Sequence, residues 1–270
     1  MIRHEQFPSS HIAPRHVDVW LPPSYETAPN RRFPVLYMHD GQNLFRPEES
    51  FLGIDWGVVP ALEKLIANQQ APETILVGIW NTPQRYQEYL PQKPFDTAVG
   101  TRAKAKLDPR FAGQILSDAY LRFLVTELKP FIDTQYRTLP DPPHTSLMGS
   151  SMGGLISLYG LCEYPAVFGG AGCLSTHWPA VDEVILPYLQ AALPAPGQHR
   201  LYFDYGTETL DALYEPHQVQ VDEVLRAKGY TAVDWQTRRF EGAEHNEAAW
   251  RERVHLPLAF LLGSQPHQPQ

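Results

Sequence analysis

Leu147-Met148-Gly149-Ser150-Ser151-Met152-Gly153-Gly154 contains the pattern G-x-S-x-G, centred on Ser151. An apolar, strand-like run over 145–148 precedes it, and a helix-like run over 155–161 follows. Strand, tight glycine turn and helix in that order give the pattern a mechanism. The turn lifts a serine hydroxyl off the end of a sheet, and the next helix directs its positive N-terminus at the same place. Small residues are needed on both sides because the serine sits in strained backbone where strand and helix pack closely. Ser151 is therefore a candidate nucleophile, and the rest of the chain must supply a base, an acid and oxyanion donors.

Working outward, apolar runs and amphipathic runs alternate. Strands are expected over 16–21, 34–38, 74–80, 169–174, 200–205 and 232–240. Helices are expected over 58–68, 114–136, 181–193, 214–228 and 247–262, with Gly229 a plausible C-cap. This alternation predicts an α/β fold, a mostly parallel central sheet with helices on both faces. No repeat or clean boundary divides it, so a single domain is expected over 1–262, with a flexible tail over 263–270. The segment 82–113 carries prolines and glycines and no firm period. A connection that long inside a compact domain is usually functional, and it reads as a cap or pocket-lining loop.

Composition narrows the function. The 270 residues suffice for one large domain, and the 43% hydrophobic content is ordinary for a globular protein. A net charge of −8 without a basic cluster argues against nucleic acid as partner. No apolar stretch is long enough to span a membrane, and no apolar signal region follows the N-terminus. A cytoplasmic protein is expected, although a chain already trimmed of a leader would read the same. The two cysteines, Cys162 and Cys173, read as buried free thiols rather than a disulfide framework or metal site. The 26 prolines lie mostly between periodic segments and stiffen loops.

Active sites of parallel sheets lie at the carboxyl ends of the strands. His245, in the loop after the last expected strand, can reach Ser151 as general base and then general acid. His39 and His177 also follow strands and are fallback bases, better suited to the pocket wall. The acid should follow the strand ending at Tyr205-Gly206, where Asp211 is preferred and Glu208 is the alternative; Asp204, inside the strand, reads as structural. Oxyanion donors are expected from the backbone of Met152 and from the loop after 34–38, where Gly41 permits close approach and Gln42 supplies the N–H. Asp40 would orient that loop. Ser151, Asp211, His245 is the chain order of α/β-hydrolases.

At this point a resemblance becomes specific. The chain resembles the putative-esterase family of α/β-hydrolases, which takes in enterochelin-esterase-like, feruloyl-esterase-like and S-formylglutathione-hydrolase-like enzymes. The matching pieces are Val35 through Phe45, Asn81-Thr82 with Arg85 and Glu88-Tyr89, Gly149 through Gly154, Phe168 through Ser175, Gly206-Thr207-Glu208, and Glu244-His245. The resemblance implies a carboxylic ester hydrolase with a Ser/Asp/His triad and no metal or other cofactor, acting on a small-molecule ester. Many relatives carry the acid as G-T-x-D, a position held here by Thr209; Asp211 fits a loop longer by two.

Softer pocket candidates are Arg85 and Glu88, which would bind polar groups of a substrate or hold the cap, and His177 and Trp178, the latter able to stack on an acyl group or sugar. Arg102, Lys104, Lys106 and Arg110 form a small basic run that reads as a solvated face. Acyl transfer and thioester hydrolysis would use the same triad. A non-catalytic binding protein on this fold would have lost a triad member, and none is missing from the sequence.

Overall fold

A computed structural model describes residues 1–105 and 113–263. Eight strands form one sheet: β1 (Ile2–Phe7), β2 (Arg15–Trp20), β3 (Val35–His39), β4 (Ile75–Ile79), β5 (Thr145–Ser150), β6 (Gly170–Leu174), β7 (Arg200–Gly206) and β8 (Trp235–Phe240), in the order β1-β2-β4-β3-β5-β6-β7-β8. β2 runs antiparallel to both β1 and β4, and the other neighbours are parallel. The helices are α1 (Val58–Ala67), α2 (Arg85–Tyr89), α3 (Ala98–Lys104), α4 (Ser117–Phe123), α5 (Lys129–Gln135), α6 (Met152–Glu163), α7 (Ile185–Ala192), α8 (Glu215–Ala227), α9 (Glu247–Arg253) and α10 (His255–Leu262). The mostly parallel sheet with helices on both faces is the α/β architecture expected from the alternation.

The period of two along each central strand builds two cores. Val35, Tyr37, Val77, Leu147 and Phe203 point to the face covered by α4, α6, α7 and α8. Leu36, Met38, Leu76 and Met148 point to the face covered by α1, α9 and α10. Strands buried on both faces read as continuous apolar runs, which is why β3, β4 and β5 are legible as runs rather than as alternations. The two edges differ. β1 and β8 each have one neighbour and carry charged side chains outward, with Glu5 on β1 and Arg238 and Arg239 on β8 exposed.

Several expectations need correction. β1 was not foreseen. The helix expected over 114–136 is interrupted by a π-helical turn at Leu124–Leu128, between α4 and α5. Pro130 lacks the N–H that an α-turn would need there, and the Lys129 N–H bonds to Leu124 instead. The run over 247–262 is two helices, α9 and α10. The segment 82–113 is not structureless over its described part. It forms α2, a 3₁₀ turn at Lys93–Asp96 and α3, and sinks Tyr89, Leu90 and Phe95 into the core. Lys106 and Arg110 of the basic run, and 264–270 of the expected tail, lie outside the described residues.

Candidate active site

Sheet order reverses between β3 and β5, the strands flanking the point where α/β sheets open a crevice at their carboxyl ends. Both strands deliver functional loops there. Ser151 sits between β5 and α6 with φ 57° and ψ −121°, a left-handed conformation for a residue with a side chain. Strain of this kind costs of order 1–3 kcal/mol and persists only where surrounding bonds impose it. The Ser151 N–H donates to the Leu174 carbonyl at 2.9 Å, and its carbonyl accepts from Gly154 at 3.0 Å and from His177 at 3.2 Å. Glycine is required at 149, because a Cβ there would lie 2.8 Å from the backbone of Gly153. The turn is therefore closed by strand-on-helix contact.

His245 follows β8, and Asp211 lies in a 3₁₀ turn (Thr209–Leu213) after β7. His245 Nδ1 and Asp211 Oδ1 are 2.6 Å apart. Asp211 is fully buried, and its other oxygen accepts from the Ser175 hydroxyl and the Gly206 N–H, each at 2.6 Å. Burial alone would raise this carboxyl, but the hydrogen bonds from His245, Ser175 and Gly206 outweigh it and hold the group below its ordinary value. Glu208, three residues earlier, is exposed on the surface. Asp204 is buried against Arg253 at 3.1 Å, and burial raises its carboxyl despite that partner. Ser151, His245 and His177 line one cavity of about 400 Å³.

The Met152 N–H opens α6 and the Gln42 N–H belongs to the 3₁₀ turn Gly41–Asn43, both first-turn positions without an acceptor inside their own helix. Both residues line the cavity. Asp40, itself left-handed at φ 57°, precedes the turn. Its carboxylate is gripped by Arg85 through two bonds of 2.7 Å and by Asn81 at 2.6 Å. Burial opposes ionisation of Asp40, and Arg85 with Asn81 overcomes it, so the group is held below its usual range.

Three expected pocket residues lie elsewhere. Glu88 is fully buried with both oxygens on Arg15, at 2.6 and 2.9 Å, so it anchors α2 to β2 instead of facing a substrate. Trp178 is buried at 1% exposure with its indole N–H on Gln218, a core aromatic. Gly41 approaches the neighbouring strand rather than the cavity, since a Cβ there would lie 2.5 Å from the Gly78 carbonyl carbon. His177 does line the cavity, with Nδ1 2.7 Å from the Tyr214 hydroxyl. His39 is enclosed beside Tyr120, 2.8 Å from its hydroxyl, and burial pushes the imidazole down to about 3. It is a neutral structural group.

Several residues escaped the sequence reading. Ser175 joins Asp211 to α9: it donates to Asp211 and accepts from the Trp250 indole at 3.0 Å and Arg253 at 2.9 Å. Trp250 also packs edge-on against His245, with ring centres 5.1 Å apart. Trp250 and Arg253 are three apart on the helix after His245, a spacing that puts them on one face and was readable in principle. Ser175 left no such signal, because a lone serine after a strand has many uses. Among the described residues no group of His, Cys, Asp and Glu is placed to hold a metal, and no helix is long and apolar enough to cross a membrane. Cys162 and Cys173 are free and buried. A second cavity, of about 470 Å³, opens near the amino ends of β3, β5 and β7, beside Pro34, Ser146 and Arg200, away from these groups.

A family model described as "Putative esterase" matches residues 10–260. Protein YbbA of Bacillus subtilis (strain 168) is 26% identical over 259 residues, which covers 92% of this chain and 93% of the relative. Among solved structures, a ferulic acid esterase matches with a TM-score of 0.68 at 18% identity, over 97% of both chains. The siderophore hydrolase EstA from Aspergillus nidulans matches with a TM-score of 0.71 at 15% identity, over 96% of this chain and 94% of its own. At such identities the two structures speak for a shared fold.

Proposed function

The chain belongs to the putative-esterase family and is a carboxylic ester hydrolase; from that premise we propose that it works through an acyl-serine intermediate on Ser151, with His245 and Asp211 completing the triad. The observation that carries this reading is the 2.6 Å contact between His245 and the buried Asp211, on a histidine that shares a cavity with the strained Ser151.

In the first half-reaction, Ser151 Oγ attacks the ester carbonyl carbon as His245 Nε2 takes its proton. Asp211 accepts the Nδ1–H, fixes the tautomer and stabilises the imidazolium. The carbonyl oxygen gathers negative charge, and the N–H groups of Met152 and Gln42 receive it; α6 adds its positive end. The imidazolium then protonates the leaving alkoxide, and the alcohol departs. In the second half-reaction, water loses a proton to His245 while attacking the acyl carbon, and Ser151 leaves with that proton. Arg85 bears on this indirectly: by gripping Asp40 it fixes the turn that carries the Gln42 N–H.

The family match supports hydrolysis over transfer to another alcohol. The substrates named for the fold neighbours are theirs, and the loops around Ser151 set this chain's own. The test is release of p-nitrophenol from a short-chain p-nitrophenyl ester. Ser151→Ala should lower kcat by roughly 10³-fold or more. Activity retained in that variant would sink the mechanism.

A further inference from the structure

The cavity at Ser151 has two unlike sides. On one side the lining carboxylates are matched by the protein itself. Asp40 is held by Arg85 and Asn81, and Glu247 accepts the Asn43 amide at 3.3 Å while burial pushes its carboxyl above the usual range. Asp40 and Arg85 cancel one another's charge, so a charged substrate group gains little on this side.

The other side is apolar and faces solvent. Phe51, Leu52 and Leu210 line the cavity and are 83%, 52% and 46% exposed. Ile54 and Leu213, at 38% and 56%, extend the same two loops. These loops are held in place. Asn43 Oδ1 accepts the Phe51 N–H at 3.0 Å, and the Ser50 hydroxyl donates to the Ile54 carbonyl at 2.6 Å. Across the mouth, Thr209 is left-handed at φ 55°, and its hydroxyl accepts the His245 N–H at 2.8 Å. Next to it Asp211 is buried against His245 while Leu210 is left outside. Apolar surface of this kind gains free energy only when something covers it, and loops already ordered lose little entropy when that happens.

We propose that the esters turned over at Ser151 are uncharged and carry a bulky apolar group seated against Phe51, Leu52 and Leu210. The proposal rests on the serine-esterase reading above and names its substrate class. The apolar group could be the acyl chain or the alcohol, and the experiment separates them.

The p-nitrophenyl esters of acetate, butyrate and hexanoate, with the hemisuccinate as charged counterpart, are compared by kcat/KM below their aggregation limits. Ethyl, butyl and hexyl acetates form the alcohol series. A fully buried methylene is worth about fourfold, and half that free energy on an open rim gives about twofold. Over four methylenes the longer substrate should therefore gain roughly tenfold or more in at least one series. The hemisuccinate should fall about tenfold below the butyrate. In Phe51→Ser/Leu210→Ser the long-to-short ratio should collapse to within about threefold of unity; if that variant does not fold, each single substitution must lower the ratio.

Flat series, a ratio that survives the double substitution, or a preference for the hemisuccinate would overturn the proposal. So would a dimer, seen by gel filtration, that the double substitution dissolves, since the rim would then be a subunit contact. Flat series with activity abolished by Ser151→Ala refute the rim alone. Activity that persists in Ser151→Ala refutes the nucleophile instead.

Discussion

Asp211 and Glu208 lie in the same connection, yet one is buried against His245 and the other faces water. The difference comes from Thr209, whose left-handed backbone reverses the chain between them. Asp211→Asn would still accept a bond from one ring nitrogen but no longer as a charge, and would favour the wrong tautomer. A fall in kcat of roughly 10³–10⁴-fold is expected, with Glu208→Gln within about twofold of the parent. Steady-state kinetics on the two variants decide it, and a crippled Glu208→Gln beside an active Asp211→Asn would reverse the assignment. From the sequence, the glycine after the strand narrowed the acid to two carboxylates. It could not separate them, because the deciding torsion belongs to a residue that rarely takes it. Ser151 was easier to read: the tight turn that strains it needs a glycine at 149, which the sequence displays.

At the scale of elements, α2 is the clearest case of a short segment with a long reach. It has five residues, under two turns, too few to establish a period. Its identity is tertiary: Glu88 anchors it to Arg15 on β2, and Arg85 ties it to Asp40 beside the Gly41–Asn43 turn. β1 was illegible for a related reason, since Ile2–Phe7 is an edge strand with no fully buried position to set an alternation. The central strands were legible because burial on both faces demands apolar runs. Arg85→Gln keeps hydrogen-bonding capacity but removes the bidentate charge. It should lower kcat by about tenfold with KM changed less than about threefold, as expected when the lost interaction serves the transition state. A rise in KM at constant kcat would instead make Arg85 a substrate-binding group.

Over the whole molecule, two sets of carboxylates respond to pH in opposite senses. Asp40 and Asp211 would be raised by burial, but Arg85 and His245 respectively hold them below their unfolded values. They add stability that is complete above about pH 4 and lost as the pH falls through their depressed folded values. Asp204, Asp222 and Glu247 are raised by burial, which their partners only partly offset. Their contribution favours the fold at low pH and fades as the pH rises through their folded values. Urea midpoints measured from pH 7 to pH 3 should fall below about pH 4, and less steeply in Asp211→Asn. An identical slope in that variant would show that Asp211 contributes nothing to acid lability.

The charged edges of the sheet bear on how the protein behaves in a crowded solution. A row of unpaired backbone groups at an edge is a template for another chain. Glu5 at one edge and Arg238 with Arg239 at the other place charge where an incoming strand would have to settle. Colloidal behaviour is thereby separated from chemistry. The apolar rim around Ser151 can remain open to small molecules while the long sides of the sheet resist strand-by-strand growth into fibres.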